Sequence, residues 1–428
     1  MDEAPTRSPD PDDVPGPSVR SLVDLVPRTL QSDPVEVAVR LREQHGHVVR
    51  IPAMYPGLGQ PAYLVTHPDD VQYVLQTNPR SFRGLESPST TDFGRVIRNS
   101  IVSLTEDSEE GSWTARLRQL SPEFSERTVE GHVPRLALVT LSTVAEYDAA
   151  TTARANARPG GREGGWVRQL LGGDHDPARV HADSAGTVRL LPAMRRLSLR
   201  LLGVSVFGPD LRVHETEVIR AVARLRRLFK RRQFNLVTGA VSRRLSEELA
   251  LPSFLPGHDL APGLPAPGRG GIETLERVAD EVVLRRERTP NAYGDALSAW
   301  LTRPDPVTGD PLDGETARME VVGLLIAGFA TLSAALTWSV YLAATHPWVQ
   351  DRIRAEARRT PLFAPLDDVR AEGGVDDIDG PRVLADLEFT RRVWQETLRL
   401  YPTLPLFGRT ARESVSLHGY DVEAGSTV

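Results

Sequence analysis

One stretch of this chain narrows its fold more than any other: VVGLLIAGFATLSAALTWSVYLAAT, from Val321 to Thr345, which holds no charged side chain. Glu315, Arg318 and Glu320 precede it, and His346-Pro347 follows. Pro347 has no N–H to donate and biases His346 away from helical angles, so the run should stop there. About 20 apolar residues are enough to cross a bilayer. However, Gly328, Thr331, Ser333, Thr337 and Ser339 interrupt the apolar character, and no basic cluster flanks either end. Buried strands would need punctuation inside the run, and its alanines favour helix. The reading is a long helix from Gly314 to His346, apolar all round because it is buried all round in a soluble protein.

At 428 residues the chain can bury a large core. A net charge of −6 gives no reason to expect nucleic acid or an anionic membrane as a partner. Residues 1–17 are acidic and proline-rich with no apolar segment, which reads as a disordered tail and not as a secretory signal. A cytoplasmic protein without a membrane span is expected. Cysteine is absent. Disulfides, thiolate nucleophiles, iron–sulfur clusters and thiolate-held haem or zinc are therefore not available from these residues. Lys230 is the only lysine among many arginines, a codon-usage trait and not a mechanistic one.

The pattern along the chain predicts a mainly α fold with a small β-sheet. Asp33-Pro34 opens a helix that Gly46 ends. His47–Ile51 and Ala62–Thr66 read as strands. Helices follow from His67-Pro68 to Leu75, over Trp113–Leu120 and over Val129–Tyr147. A glycine-rich polar insert spans about 155–187, and a Pro/Gly connector spans about 252–271. Between these lie helices over Leu190–Val204 and Glu215–Phe234. Ile272–Arg288, Ala292–Leu301, Trp348–Arg359 and Leu387–Leu400 are also helical. Thr410–Val428 reads as short strands turning at His418-Gly419. Residues 18–428 are taken as a single domain.

Few constellations carry chemistry. His45 and His47 form H-x-H, but no second ligand group lies nearby in sequence, and Asp174-His175-Asp176 sits in the polar insert. No metal site is expected. Gly160, Gly161, Gly164 and Gly165 lack the strand–helix context of a phosphate loop. The helix around Ile219–Phe229 gathers Ile219, Val222, Leu225 and Phe229 on one face, away from Arg220, Arg224, Arg227 and Arg231. That pattern fits a solvated basic face, or a surface that meets a partner. Glu396 and Arg399 can pair three residues apart.

What surrounds that pair, ETLRLYPTLPLFGRTARESVSLHGYDVEAGSTV, resembles the K helix and following strands of a cytochrome P450. Glu396 and Arg399 match E-x-x-R, Tyr401-Pro402 matches its ending, and Arg409 matches the arginine on a haem propionate. The central helix resembles the I helix, with Ala327-Gly328-Phe329-Ala330-Thr331 at the A/G-G-x-D/E-T position. Gly111–Phe124, with Trp113, resembles the C helix. The order of elements agrees from about Ser18 onward.

Departures shape what the resemblance implies. The family's cysteine loop is missing, so the expectation is a P450-like fold truncated before the haem-ligand loop and final helix. The acid of the I helix is replaced by Ala330, and the C-helix propionate arginine by Leu117. The combination is similar to the cysteine-less, haemless P450-like auxiliary proteins of antibiotic pathways. The resemblance therefore implies no haem, no catalytic residue, and Thr331, Glu396, Arg399, Arg409 and Trp113 as vestigial family positions. It also implies a non-catalytic subunit that binds and activates a deoxysugar glycosyltransferase of macrolide or anthracycline biosynthesis, as a hetero-oligomer. Surface left bare by the missing segment would supply the interface. The alternatives are a P450 monooxygenase, degenerate or truncated in this sequence, and a protein that binds a hydrophobic small molecule.

Overall fold

A computed structural model describes residues 14–18, 34–51, 61–84, 100–102, 113–156, 188–233, 266–290, 293–360 and 379–428. Most of the insert, with its glycines and Asp174-His175-Asp176, lies outside them, as do residues 252–265 of the connector. In chain order the elements are α1 (Pro34–His45), β1 (Val48–Ile51), β2 (Ala62–Val65), α2 (Pro68–Gln72), β3 (Phe82–Gly84), α3 (Trp113–Leu120), α4 (Glu126–Asn156), α5 (Leu190–Leu202) and α6 (Glu215–Gln233). They continue with α7 (Ala266–Arg288), α8 (Ala296–Thr302), α9 (Gly314–Thr345), α10 (Pro347–Ala357), α11 (Gly380–Asp386), α12 (Glu388–Leu400), β4 (Arg409–Ala411), β5 (Val415–Leu417) and β6 (Tyr420–Val422). The fold is mainly helical with small sheets, as the pattern predicts. The residues group into a strand-bearing unit, drawn from 1–96, 227–265 and 404–428, and a helical unit, drawn from 97–226 and 266–403.

In the helical unit α9 packs against α5, α7 and α12. It starts where the sequence says it should. The Asp313 carboxylate accepts from the Thr316 N–H at 2.9 Å, closing the cap, and His346 leaves the helical region before Pro347. Three of the hydroxyls inside the run bond back along the helix: Thr331 to the Ala327 carbonyl at 2.8 Å, Ser333 to Ala330 at 3.0 Å and Thr337 to Ser333 at 2.6 Å. Back-bonding satisfies these donors within an apolar helix, whereas the buried Ser339 Oγ finds no partner.

The expectation that α9 is buried on every side needs correction. Ala317 to Ala335 includes the buried positions, among them Val321, Val322, Leu325 and Phe329. Beyond Ala335 the helix surfaces, with Trp338 38% and Tyr341 49% exposed. The helix is long and apolar enough to cross a membrane, and half of its most apolar window is buried inside the protein, as in a core helix.

Two further differences have local causes. α7 begins at Ala266, so Gly270 and Gly271 are helical and not connector. A methyl on Gly271 would meet the Ala221 carbonyl oxygen at 3.3 Å and Leu225 Cγ at 3.4 Å, so glycine permits close approach of α6 to α7. On α6, Ile219, Val222 and Leu225 are buried while Arg220 and Arg224 are exposed, which is the amphipathic pattern read from sequence. The side chains of Arg227, Phe229 and Arg231 lie outside the described residues.

In the strand unit β1 pairs antiparallel with β2, β3 with β4, and β5 with β6. Thr427 bridges Ala62 on β2 and Thr410 on β4. Val48, Tyr63, Val74, Phe82, Ala411 and Leu417 are among the residues that build the core beneath. Val14 belongs to the same core, and the Arg50 N–H donates to the Pro15 carbonyl at 2.9 Å, so the end of the expected tail packs on β1. The β5–β6 turn falls at His418 (φ 53°) and Gly419 (φ 80°), the left-handed pair that a tight hairpin needs.

Candidate functional site

Within the helical unit the residues singled out by the sequence sit along α3, α9 and α12. The two glycines of α9 differ in their surroundings. A methyl on Gly328 would meet Leu202 Cδ2 at 3.5 Å, an ordinary contact, whereas one on Gly323 would meet Ser100 Oγ at 2.4 Å and Cβ at 2.6 Å. Gly323→Ala is therefore expected to destabilise the fold by about 1–3 kcal/mol through overpacking. Gly328→Ala should leave stability unchanged or raise it, because alanine is the better helix former by about 1 kcal/mol. Thermal unfolding of the two variants side by side checks this.

Thr331 is half-buried, and its hydroxyl bonds the Ala327 and Gly328 carbonyls at 2.8 and 3.2 Å. On α3, Trp113 and Leu117 are exposed, and the arginines flanking Leu117 are both engaged. Arg116 turns inward, with its Nη1 2.5 Å from Glu320 Oε1. The Glu320 carboxylate also accepts the Ile101 N–H at 2.9 and 3.1 Å. Burial pushes the Glu320 carboxyl above its ordinary value, against the opposing pull of the Ile101 N–H and Arg116. By sequence, Glu320 is only the edge of the apolar run. A carboxylate one residue before such a run, on the same helix, is the signal that it could be buried.

Arg118 donates through Nε and Nη2 to the Asp305 carboxylate at 3.0 and 3.2 Å. The N–H groups of Val307 and Thr308 add bonds at 2.8 and 3.0 Å. Arg118 first, then the Thr308 N–H, hold the Asp305 carboxyl down from 3.8 to about 2. A carboxylate depressed in the folded state adds stability that is present above its unfolded value and lost as pH falls through the folded one. Asp305→Asn should therefore flatten the loss of stability between pH 3.8 and about 2, as read by urea unfolding at stepped pH.

On α12, Glu396 and Arg399 form a two-bond fork, both bonds 2.7 Å, at the protein surface. The Arg399 bond lowers the Glu396 carboxyl from its ordinary value. Tyr401 follows and lies flat on Trp338, with ring centroids 3.9 Å apart and planes within 10°. In the strand unit, Arg409 on β4 is half-buried and its Nη1 donates to the Gly408 carbonyl at 2.8 Å.

Comparison with known proteins bears on the same stretch. Residues 272–428, from within α7 to beyond β6, match the model of the cytochrome P450 family. The bifunctional cytochrome P450/NADPH–P450 reductase 2 of Bacillus subtilis is 34% identical over 159 residues, which is 37% of this chain and 14% of that protein. Cyclooctat-9-en-7-ol 5-monooxygenase of Streptomyces melanosporofaciens is 26% identical over 372 residues, covering 86% of this chain and 64% of that enzyme. Cyclooctatin synthase of the same organism is 33% identical over 135 residues, 32% of this chain and 27% of that enzyme. The chain spans less than two thirds of the length of these relatives. The matches liken residues 272–428 to the cytochrome P450 family.

They also correct two expectations. A non-catalytic pseudo-enzyme is not what the comparison points to, because the relative matched over 86% of this chain is named as a monooxygenase. Nor is the absence of a cofactor, because cytochromes P450 hold haem by a cysteine thiolate. The donor set in hand does not complete such a site. The 428 residues contain no cysteine, Leu117 stands between two arginines already committed to Glu320 and Asp305, and Thr331 follows Ala330. No step through haem is derived from these residues.

Proposed function

We propose that this chain forms the body of a cytochrome P450-type monooxygenase, an oxidoreductase that uses haem and dioxygen to oxidise an apolar organic substrate in the cytoplasm. The observation that carries the reading is the family match over 272–428, which takes in α9, the Glu396–Arg399 fork on α12 and Arg409 on β4. The match to cyclooctat-9-en-7-ol 5-monooxygenase over 86% of the chain supports it. No cysteine occurs among these 428 residues, so the reading requires a thiolate that they do not supply. The test is turnover by the polypeptide made in its native source, given a redox partner and labelled dioxygen. The expected product carries one labelled oxygen. Protein that holds haem and accepts electrons yet never labels a substrate panel would overturn the reading.

A second reading, of association, is favoured by one observation. Trp338, Tyr341, Tyr401 and Trp348 are all exposed on the helical unit, and aromatic side chains of this kind anchor protein interfaces. The resemblance implies a deoxysugar glycosyltransferase as the partner. Co-purification of candidate transferases with the wild-type chain, lost on Trp338→Ser, is the expected outcome; equal recovery with both would reject it.

A further inference from the structure

The strand unit gathers four side chains that sequence distance hides. His47 immediately precedes β1, His67 immediately precedes α2, Asp70 lies on α2, and His418 occupies the β5–β6 turn. The ring centroids of His47, His67 and His418 are 5.0–5.9 Å from one another. One donor atom each from His67, Asp70 and His418 lies within 4.8 Å of the other two.

We propose that His67, Asp70 and His418 form a binding site for a zinc-class divalent transition-metal ion. The chemistry of the set selects that class, since imidazole nitrogen with one carboxylate oxygen suits zinc and its neighbours better than calcium or magnesium. Geometry supports it. Two ligands bonded at 2.0–2.1 Å to a tetrahedral ion stand about 3.3 Å apart, and His418 Nδ1 is 3.2 Å from Asp70 Oδ2. His67 Nδ1 accepts the Asp69 N–H over a long 3.3 Å and stands 3.8 Å from the Asp69 carboxylate, and its ring can turn to close the third distance. Three protein ligands leave a position for water, the arrangement of an open zinc site.

The carboxylate is already aimed. Asp70 Oδ1 accepts the backbone N–H of His418 at 3.1 Å, while its buried Oδ2 makes no hydrogen bond and faces the His418 ring. His418 itself sits at φ 53°, a region costing a non-glycine residue about 1–2 kcal/mol, where asparagine or glycine is the usual choice. A histidine there places an imidazole beside Asp70 that neither usual residue could supply. A bound ion would tie the hairpin turn to α2 and to the chain after β2, and would stabilise the strand unit by mass action.

The test uses the full chain without a histidine tag, stripped with chelator and titrated with zinc. The expected result is one tightly held zinc per chain, a rise in the thermal midpoint, and shifts of the His67 and His418 imidazole resonances while His346 stays unmoved. His418→Asn, which keeps the left-handed turn, and Asp70→Asn, which keeps an acceptor for the His418 N–H, should each weaken binding at least tenfold. His346→Asn should not. No zinc uptake by the stripped wild-type chain, or equal uptake by both ligand variants, would overturn the proposal and leave a plain His–Asp ion pair. Should a variant fail to fold, the histidine resonances of the wild-type chain decide the question alone.

Discussion

Glu320→Ala is expected to lower the unfolding free energy by about 3–5 kcal/mol, the usual cost of removing one partner of a buried ion pair. The Glu320 side chain is fully buried; it faces Arg116 at 2.5 Å and takes the Ile101 N–H. Its removal withdraws a carboxylate from a buried guanidinium and an acceptor from a backbone donor at once. The pair is not thereby a net source of stability. Burial raises the Glu320 carboxyl more than Arg116 and Ile101 lower it. A carboxyl raised in the folded state favours folding at low pH and loses that contribution as pH rises through the folded value. A double replacement, Arg116→Met with Glu320→Leu, should therefore be less destabilised than Glu320→Ala alone. Urea midpoints at constant m-value measure the difference.

Arg286→Met should be as damaging, again by about 3–5 kcal/mol. Arg286 is fully buried, and its Nη1 reaches Asp295 Oδ2 at 2.5 Å and Ser298 Oγ at 2.6 Å, while Nη2 donates to the Phe207 carbonyl at 3.2 Å. Asp295 in turn caps α8 by accepting the Ser298 N–H at 2.8 Å. One guanidinium thus joins the turn after α5, the body of α7 and the start of α8. Methionine fills most of the volume but leaves the Asp295 carboxylate buried without its cation. Gly208 reports the same constraint from the other side: at φ 80°, a methyl there would stand 2.2 Å from Arg286 Nη2. Arg286→Lys should recover only part of the loss, because an ammonium cannot reproduce the fork. Thermal unfolding of the two variants checks the ordering.

Much of the fold is legible in local chemistry. Pro347 and the absence of charge from Val321 to Thr345 mark α9. Gly46 ends α1, His418-Gly419 turns the last hairpin, and Trp113–Leu120 coincides with α3. What escapes depends on topology or on one-sided burial. The apolar run does not reveal that α9 surfaces after Ala335. Gly270 and Gly271 resemble a loop because glycine serves both turns and close helix approach. Glu320 resembles a boundary because a charge beside an apolar run is usually solvated. His47, His67, Asp70 and His418 are unrelated in sequence until the pairing of β1 with β2 and of β5 with β6, together with α2, brings them together. The P450 resemblance of α9, α12 and β4 was readable from motifs. The inference from missing cysteine to a haemless, non-catalytic chain was not secure, because a missing ligand says nothing of residues outside the sequence.

The most direct test of the monooxygenase reading is the intact mass of the polypeptide from its native source, taken with the spectrum of the same sample reduced under carbon monoxide. The expected result is a mass greater than the 47.0 kDa of these 428 residues and the red-shifted Soret band of thiolate-held haem. A polypeptide of 47.0 kDa with no Soret absorbance, even after haem is supplied, would contradict it.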